Sequence, residues 1–566
     1  MNNEQEQMTL LHWFDHWMRT RPDTVYLTQP LADGTVVDYT WRQVADEARR
    51  MAAYLKSLEL PAGSTIAILG KNSAHWIIAD LAIWMSGNIS VPLYSTASAE
   101  TITYVLEHAE AQLLFVGRLD GDALAWQTAS KGVPAHLPTI SLPLSARQQG
   151  LQWDDIVAAT APLATVDLPG ADELATVIYT SGSTGQPKGV MHSFATMCRA
   201  AQINASVLYN DGQGPGSEER LLSYLPLAHG AERQGVESAS LRYGMQVFFN
   251  DCLQTFSADL RRARPTFFIS VPRLWVKFYQ GVSAQIPPSV QQAAFADPLA
   301  ADAMKMKILV ALGLDQTHTA VTGSAALPVP IINWYRQLGL ELLDGYGMSE
   351  NFACSHFSRV GRVRAGYVGE CLPGVECRIA ENGEILVKSP GQMLGYYKQP
   401  QLTAESYLAD GFFMTGDRGE VDDSGRLRIT GRVKELFKTA KGKYVAPAPI
   451  EARLSGHPRI AEVCVTGVGL PQPFALVTLS EETRQALSNG LQGSDLVAEL
   501  EGLLARVNEQ LEDHERLDCL VVVKDPWTIE SGLLTPTMKI RRGAIEERYV
   551  DNAEAWCSSH QKVIFE

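Results

Sequence analysis

Residues 179 to 190 read YTSGSTGQPKGV, a dozen positions holding three glycines, four serine or threonine hydroxyls and one lysine. Small residues let backbone N–H groups close around phosphate oxygens, hydroxyls add donors, and a lysine adds a point charge. The spacing is not that of the P-loop G-x-x-x-x-G-K-[ST], which needs glycine before the lysine and a hydroxyl after it to reach a metal. Here Pro187 precedes Lys188 and Gly189 follows it, while Thr180, Ser181, Ser183 and Thr184 all come earlier. A P-loop NTPase is disfavoured, which leaves a phosphate loop of another shape or a Gly/Ser surface turn. The run ATVIY before it (175 to 179) favours the first, because open α/β sheets bind ligands where a buried strand runs into a loop.

The elements that would hold such a loop alternate along most of the chain. TIAIL (65 to 69), QLLFVG (112 to 117), MQVFF (245 to 249), TFFISV (266 to 271) and HTAVTG (318 to 323) read as strands, and VADEARRMAAYLKSL (44 to 58) as an amphipathic helix. This is α/β patterning, and 566 residues exceed one core, implying about three to four units. After about residue 365 Gly/Pro-punctuated strands take over, GYVGECLPGVECRI, GEILVKSP and GRLRITGR, and predict a small β-rich unit. The segment GRVKELFKTAKGKY and the joint VAPAPIE then lead into a final α+β stretch, so the boundary is placed at Gly431 and Arg432, dividing 1–431 from 432–566.

Forty-eight basic against 63 acidic residues leave a formal charge of −15, which argues against a nucleic-acid partner and requires a locally positive pocket for any anionic ligand. Eight cysteines show neither a C-x-x-C pair nor a metal-site spacing, and read as free thiols in a reducing compartment. The start MNNEQEQMTLL lacks a signal-peptide pattern, so the expected location is cytoplasmic. HWIIADLAIWMSGNISVPLY (75 to 94) approaches a membrane span but is broken by Asp80, Asn88 and Pro92, and reads as a buried helix followed by a strand. Leu10, Trp13, Phe14, Trp17 and Met18 form one helical apolar face. It either docks on the protein's own core, or makes a weak peripheral contact with the inner membrane face.

Four blocks in order, YTSGSTGQPKGV, DGYGMSE (344 to 350), TGD (415 to 417) and GLLTPTMKIRR (532 to 542), resemble the acyl-adenylate-forming superfamily. That superfamily takes in acyl-CoA synthetases, firefly-type luciferases and the adenylation domains of peptide synthetases. GRVKELFKTAKGKYVAPAPIE (431 to 451) and LTPTMKIRR (534 to 542) are similar to the long-chain, bubblegum-like acyl-CoA synthetases in particular. The resemblance implies a large N-terminal adenylate-forming domain, with two α/β subdomains and a small β-rich one, and a small mobile α+β C-terminal domain. It also implies ATP, Mg²⁺ and coenzyme A acting on a small-molecule carboxylic acid, with a medium- to long-chain fatty acid expected.

By that resemblance the first loop embraces the ATP phosphates through Thr180, Ser181, Gly182, Ser183, Thr184, Gly185 and Lys188, with Thr184 near Mg²⁺. Gly323, Ser324 and Ala325 wall the adenine. In Asp344, Gly345, Tyr346, Gly347, Met348, Ser349 and Glu350, Tyr346 would stack on adenine and Ser349 would touch the α-phosphate. Glu350 would hold Mg²⁺, which prefers oxygen ligands. Asp417 and Arg432 would take the ribose, an acceptor-only carboxylate suiting two O–H donors. Lys539 would touch both the attacking carboxylate and the α-phosphate and offset their repulsion. Lys434 occupies the hinge position, and Gly442 lies in the turn lining the pantetheine channel.

LPLAHGAERQG (225 to 235) resembles the family's LPLAHIFER, with His229 beside the acid. Gly230 and Ala231 replace bulkier residues, which predicts extra room there or a repacked helix start. Trp275 reads as an acyl-tunnel wall or a core tryptophan. The expected reaction runs through acyl-AMP to acyl-CoA, with release of AMP and pyrophosphate. The alternatives are an acyl-AMP ligase serving a carrier protein or ring closure, and a non-catalytic nucleotide sensor, which the presence of both Lys539 and Glu350 argues against.

Overall fold

A computed structural model describes residues 8–119, 123–147, 149–180, 186–209, 215–323, 327–490, 492–529, 531–535 and 538–566. Its largest sheet has eight strands, in the order Gly395–Tyr396, Lys188–Ser193, Leu174–Thr180, Ile89–Leu93, Thr65–Leu69, Leu113–Val116, Thr139–Ser141 and Leu151–Gln152. From Leu174–Thr180 outward to Leu151–Gln152 the pairing is parallel, whereas Lys188–Ser193 runs antiparallel to Leu174–Thr180. All five residues of Thr65–Leu69 are buried, as a parallel strand covered on both faces requires. The helix Ala74–Met85 is buried along its whole length, and the Ser73 hydroxyl caps it by accepting from the Trp76 N–H.

A second sheet joins Phe267–Ser270, Thr319–Gly323 and Leu342–Tyr346 in parallel, then adds His356–Phe357 and Glu370–Cys371 in antiparallel register. A third, four-stranded, brings Arg220–Ser223 and Gln246–Phe249 beside Val25–Pro30 and Val36–Thr40. The β-rich unit is the antiparallel sheet Glu376–Ile379, Glu384–Lys388, Phe413–Val421 and Leu427–Arg432. The C-terminal stretch has its own sheet, Ile460–Thr466, Phe474–Leu479, Leu520–Val522 and Val563–Phe565, with apolar cores formed by its own residues.

The N-terminal helix, Leu10–Thr20, turns its apolar face onto the protein. Leu10, Leu11 and Phe14 are buried, the Trp17 indole N–H donates to the Leu241 carbonyl at 2.9 Å, and the Arg242 guanidinium lies over Trp13. Among the described residues no helix is long and apolar enough to cross a membrane.

Candidate active site

Thr180 ends its strand paired with Lys188, the first residue of the antiparallel strand beside it. Ser181, Gly182, Ser183, Thr184 and Gly185 lie outside the described residues, as do Ser324 and Ala325. The Lys188 ammonium sits 5.2 Å from the centre of the Tyr396 ring, and the Tyr396 hydroxyl donates to Glu350 Oε1 at 2.8 Å. Burial and the neighbouring Glu350 carboxylate push the Tyr396 phenol up, so it stays a donor. Lysine, phenol and carboxylate thereby converge from three segments far apart in the chain.

His192 explains how Ser349 is held. Its ring is fully buried 4.9 Å from Phe352, and its Nε2 lies 2.7 Å from the Ser349 carbonyl. Burial lowers its pKa to about 4, so the ring is neutral, and only a protonated Nε2 can bond to that carbonyl. The sequence reading passed over His192; its place two residues before a helix was the only signal.

The strand Leu342–Tyr346 delivers the second block. Its glycines answer to close approaches: a Cβ on Gly345 would stand 2.6 Å from the Phe357 ring, and one on Gly347 would stand 2.7 Å from the Ala353 backbone. Gly323 pairs with Gly345 across the parallel register, which sets that one residue of the predicted adenine wall beside this block. Burial raises the Asp344 carboxyl to about 8, so it is protonated and a hydrogen-bond donor at neutral pH. The Tyr346 hydroxyl donates to Asp417 Oδ2 at 2.7 Å, and Arg432 Nε to Oδ1 at 2.8 Å. Asp417 and Arg432 face each other across antiparallel strands. Each Asp417 oxygen keeps lone-pair capacity beyond these bonds.

Lys539 arrives from the C-terminal unit. The bridge Leu534–Ile540 closes a small hairpin in which the Lys539 N–H donates to Thr535 Oγ1 at 3.1 Å. The side chain keeps access to solvent but lies within electrostatic reach of Arg432, Asp417, Glu435 and His229. Surrounding protein and the Arg432 charge lower its pKa, against the opposing pull of Asp417 and Glu435. Burial, helped by the Lys539 charge, lowers His229 to about 4 and leaves it neutral. The neighbouring Arg542 does different work, its guanidinium holding Glu451 at 2.8 and 2.9 Å and the Val465 carbonyl at 2.7 Å. MKIRR thus combines a lysine facing the nucleotide residues, an exposed Arg541 and a mostly buried anchor, Arg542. Lys434 and Gly442 lie on exposed turns past Arg432, Gly442 with a φ of +76°.

On the acyl side, His229 caps a helical segment by accepting from the Ala231 N–H at 3.2 Å. A side chain at Gly230 would touch Ser349, 3.8 Å from its Cα, so the room freed there opens toward the Ser349 loop. A narrow apolar cavity runs nearby between Ala205, Leu208, Gly235, Ala239, Phe267 and Ile269. Trp275 is a core tryptophan, fully buried against Phe268 and Tyr335, with its indole N–H on the Val321 carbonyl. Arg233, also fully buried, pairs with Asp80 and with Glu237 at 2.9 Å, and its guanidinium lies between Trp76 and Trp84. Asp80, which broke the apparent membrane span, is therefore a buried ion-pair partner. Glu232 anchors the His229 loop: its Oε1 accepts from the Ser223 hydroxyl at 2.9 Å, the Tyr224 N–H at 3.1 Å and the Asn72 amide at 3.3 Å.

Residues 14–397 match the family model for AMP-binding enzymes, and residues 435–560 match that for the AMP-binding enzyme C-terminal domain. The long-chain-fatty-acid–CoA ligase FadD15 of Mycobacterium bovis is 32% identical over 96% of this chain and 96% of its own. The human long-chain-fatty-acid–CoA ligase 1 is 28% identical over 89% of this chain and 80% of its own. Among solved structures, the adenylation domain of a carboxylate reductase from Mycobacterium chelonae superposes with a TM-score of 0.80 at 23% identity, covering 97% of this chain and 91% of that one. An anthranilate CoA ligase in complex with anthranoyl-AMP gives 0.78 at 20% identity, covering 98% and 100%. At these identities the two structures establish a shared fold.

Proposed function

The chain belongs to the AMP-binding enzyme family, and from that premise we infer that it is an acyl-CoA synthetase that activates a medium- to long-chain fatty acid at the cleft between its two parts. The observation that carries this is that Lys539, from the C-terminal unit, lies within electrostatic reach of Asp417, Arg432 and His229 of the larger one. In the first half-reaction a carboxylate oxygen attacks the α-phosphorus of ATP, the bond to the β-phosphate oxygen breaks, and pyrophosphate leaves. In the second, the coenzyme A thiolate attacks the acyl carbon of the adenylate and AMP leaves, giving the thioester.

Lys539 places one positive charge between two anions that must approach each other. Tyr346 offers its ring face to adenine while its hydroxyl, with Arg432, holds the Asp417 carboxylate still for the ribose hydroxyls. Protonated Asp344 presents a donor at the base of the same strand. Ser349, fixed through its carbonyl by His192, offers its hydroxyl toward the α-phosphate. Lys188 and the segment from Thr180 through Gly185 take the distal phosphates.

Glu350 suits Mg²⁺, being a partly exposed carboxylate with oxygen donors to offer, and with Thr184 it would hold the ion. Bound there, Mg²⁺ would screen phosphate charge. The acyl chain enters the apolar cavity past His229, whose neutral ring adds no charge beside the carboxylate.

Rotation of 432–566 against 1–431 at Gly431 and Arg432 would withdraw Lys539 after adenylation and bring the Gly442 turn in for thioester formation, with Lys434 at the hinge. AMP release should be measured with fatty, branched, aryl and bile-type acids, with and without coenzyme A, and the products identified by mass. AMP and acyl-CoA appearing together with a fatty acid is the expected result. An adenylate unchanged by coenzyme A would instead make the protein a ligase for a carrier protein or ring closure.

A further inference from the structure

His356, Cys371 and Cys377 form a cluster that the acid-activating reaction does not use. Strand pairing builds it: His356 faces Tyr346 on one side and Cys371 on the other, and Cys377 returns from the adjoining sheet after the short turn at Leu372–Val375. The imidazole and the two thiols bring one ligand atom each within 4.8 Å of one another. His356 Nε2 lies 3.3 Å from the Cys371 sulfur, while Nδ1 lies 2.9 Å from the Ser355 hydroxyl. His356 is buried, and both cysteines are partly exposed, which leaves a path from solvent.

We propose that His356, Cys371 and Cys377 bind a thiophilic divalent cation, with Zn²⁺ as the natural occupant. Two sulfurs and one imidazole are a soft and borderline donor set that favours Zn²⁺ over Mg²⁺ or Ca²⁺. Three protein ligands leave the fourth tetrahedral position to water. The Ser355 hydroxyl does what an outer-shell partner does at such sites: by accepting from Nδ1–H it fixes the tautomer that frees Nε2 for the metal. Both sulfurs bind as thiolates and any thiol proton they carry passes to solvent, so no electron transfer is involved. The site lies directly behind Tyr346, whose ring centre is 6.0 Å from that of His356, and its occupancy ties three strands of the nucleotide wall together. The proposal does not depend on which acid the protein activates.

The test uses the full chain, reduced and stripped of metal, and titrated with Co²⁺ as a spectroscopic substitute. A thiolate-to-cobalt charge-transfer band should saturate at one equivalent per chain, be displaced by Zn²⁺, and be indifferent to Mg²⁺. Cys377→Ser, at a partly exposed position, should abolish the band. Ser355→Ala should weaken Zn²⁺ binding about tenfold or more. Zn²⁺ should also protect Cys371 and Cys377 of the unaltered chain from alkylation. Absence of the band, its persistence in both Cys371→Ser and Cys377→Ser, or alkylation unaffected by Zn²⁺ would overturn the proposal.

Discussion

Glu232→Gln should change how stability depends on pH, and the size of the change follows from where the carboxyl sits. Glu232 is fully buried, and burial raises its pKa from 4.5 to about 8, against the hydrogen bonds from the Ser223 hydroxyl and the Tyr224 N–H, which pull the other way. The unfolded chain gives up this proton near 4.5, whereas the folded chain keeps it to about 8. Between those values the folded state is the more protonated, so this group's contribution to stability falls as pH rises. At about 1.4 kcal/mol for each unit of pKa difference, and with both ends of the window partly titrated, the loss between about pH 5 and about pH 8 is roughly 3.5 kcal/mol.

Glutamine keeps an acceptor at the Oε1 position and removes the titration. At the acid end the two proteins should be near parity, because the protonated acid and the amide each leave a donor at the partnerless Oε2 position. At the alkaline end the variant should be the more stable. Urea unfolding followed by tryptophan fluorescence, run on both proteins across this range, isolates the group as a difference of midpoints. A difference that stays constant with pH, or grows in favour of the unaltered protein at high pH, would refute the assignment of Glu232 as a buried neutral acid.

Lys539→Ala should cut acid-dependent pyrophosphate release about a thousandfold, since one unit charge at about 4 Å in a cleft of effective dielectric about 20 is worth about 4 kcal/mol. Thioester formation from preformed acyl-AMP should survive, and equal loss of both half-reactions would remove Lys539 from the adenylation step. Because burial and Arg432 lower the Lys539 pKa, the adenylation rate should decline on the alkaline side before an ordinary lysine would discharge, and Arg432→Gln should move that limb upward. An unmoved limb would mean that another group controls it. Tyr346→Phe removes the 2.7 Å donor to Asp417, a bond of about 1.5–3 kcal/mol to a charged acceptor, and should raise KM for ATP about tenfold or more, with a smaller effect on kcat. A KM unchanged by the substitution would detach Tyr346 from nucleotide binding. Arg233→Met strands two buried carboxyls and should cost about 3–5 kcal/mol in thermal or urea unfolding, whereas Glu237→Gln, which mimics an acid that burial already drives toward its neutral form, should cost far less. Equal effects of the two would mean that the triad is not organised around the guanidinium.

The elements legible in the sequence were those whose pattern reflects burial on both faces or on one. TIAIL and ATVIY became central strands because a parallel strand between helices needs an unbroken apolar run, and the five positions of Thr65–Leu69 are all buried. The N-terminal face of Leu10, Trp13, Phe14, Trp17 and Met18 had two readings of equal periodicity. What separates them is Trp17 bonding to Leu241 and Arg242 covering Trp13, contacts more than 220 residues away in the chain. Periodicity records that a face is apolar; it carries no address for what covers the face.

The same distinction runs through the site. Blocks that gather chemistry locally, such as DGYGMSE, could be read because several polar and glycine residues stand together in one short stretch and in a fixed order with the other blocks, whereas the close approaches that their glycines serve, at Phe357 and Ala353, lie outside the block. What the sequence left dark are charges whose partners come from elsewhere. Arg233 was read as part of the acyl-side segment, yet its counter-ion Asp80 comes from a helix that resembled a membrane span. The eight cysteines were read by linear spacing, and no linear rule joins His356 to the two cysteines: strand register brings Cys371 beside it, and the turn at Leu372–Val375 returns Cys377. Buried polar clusters form only where each member finds its partner. Such a cluster is specified by topology, and once the sheet order Leu342–Tyr346, His356–Phe357, Glu370–Cys371 is fixed, the His356–Cys371 contact follows from register alone.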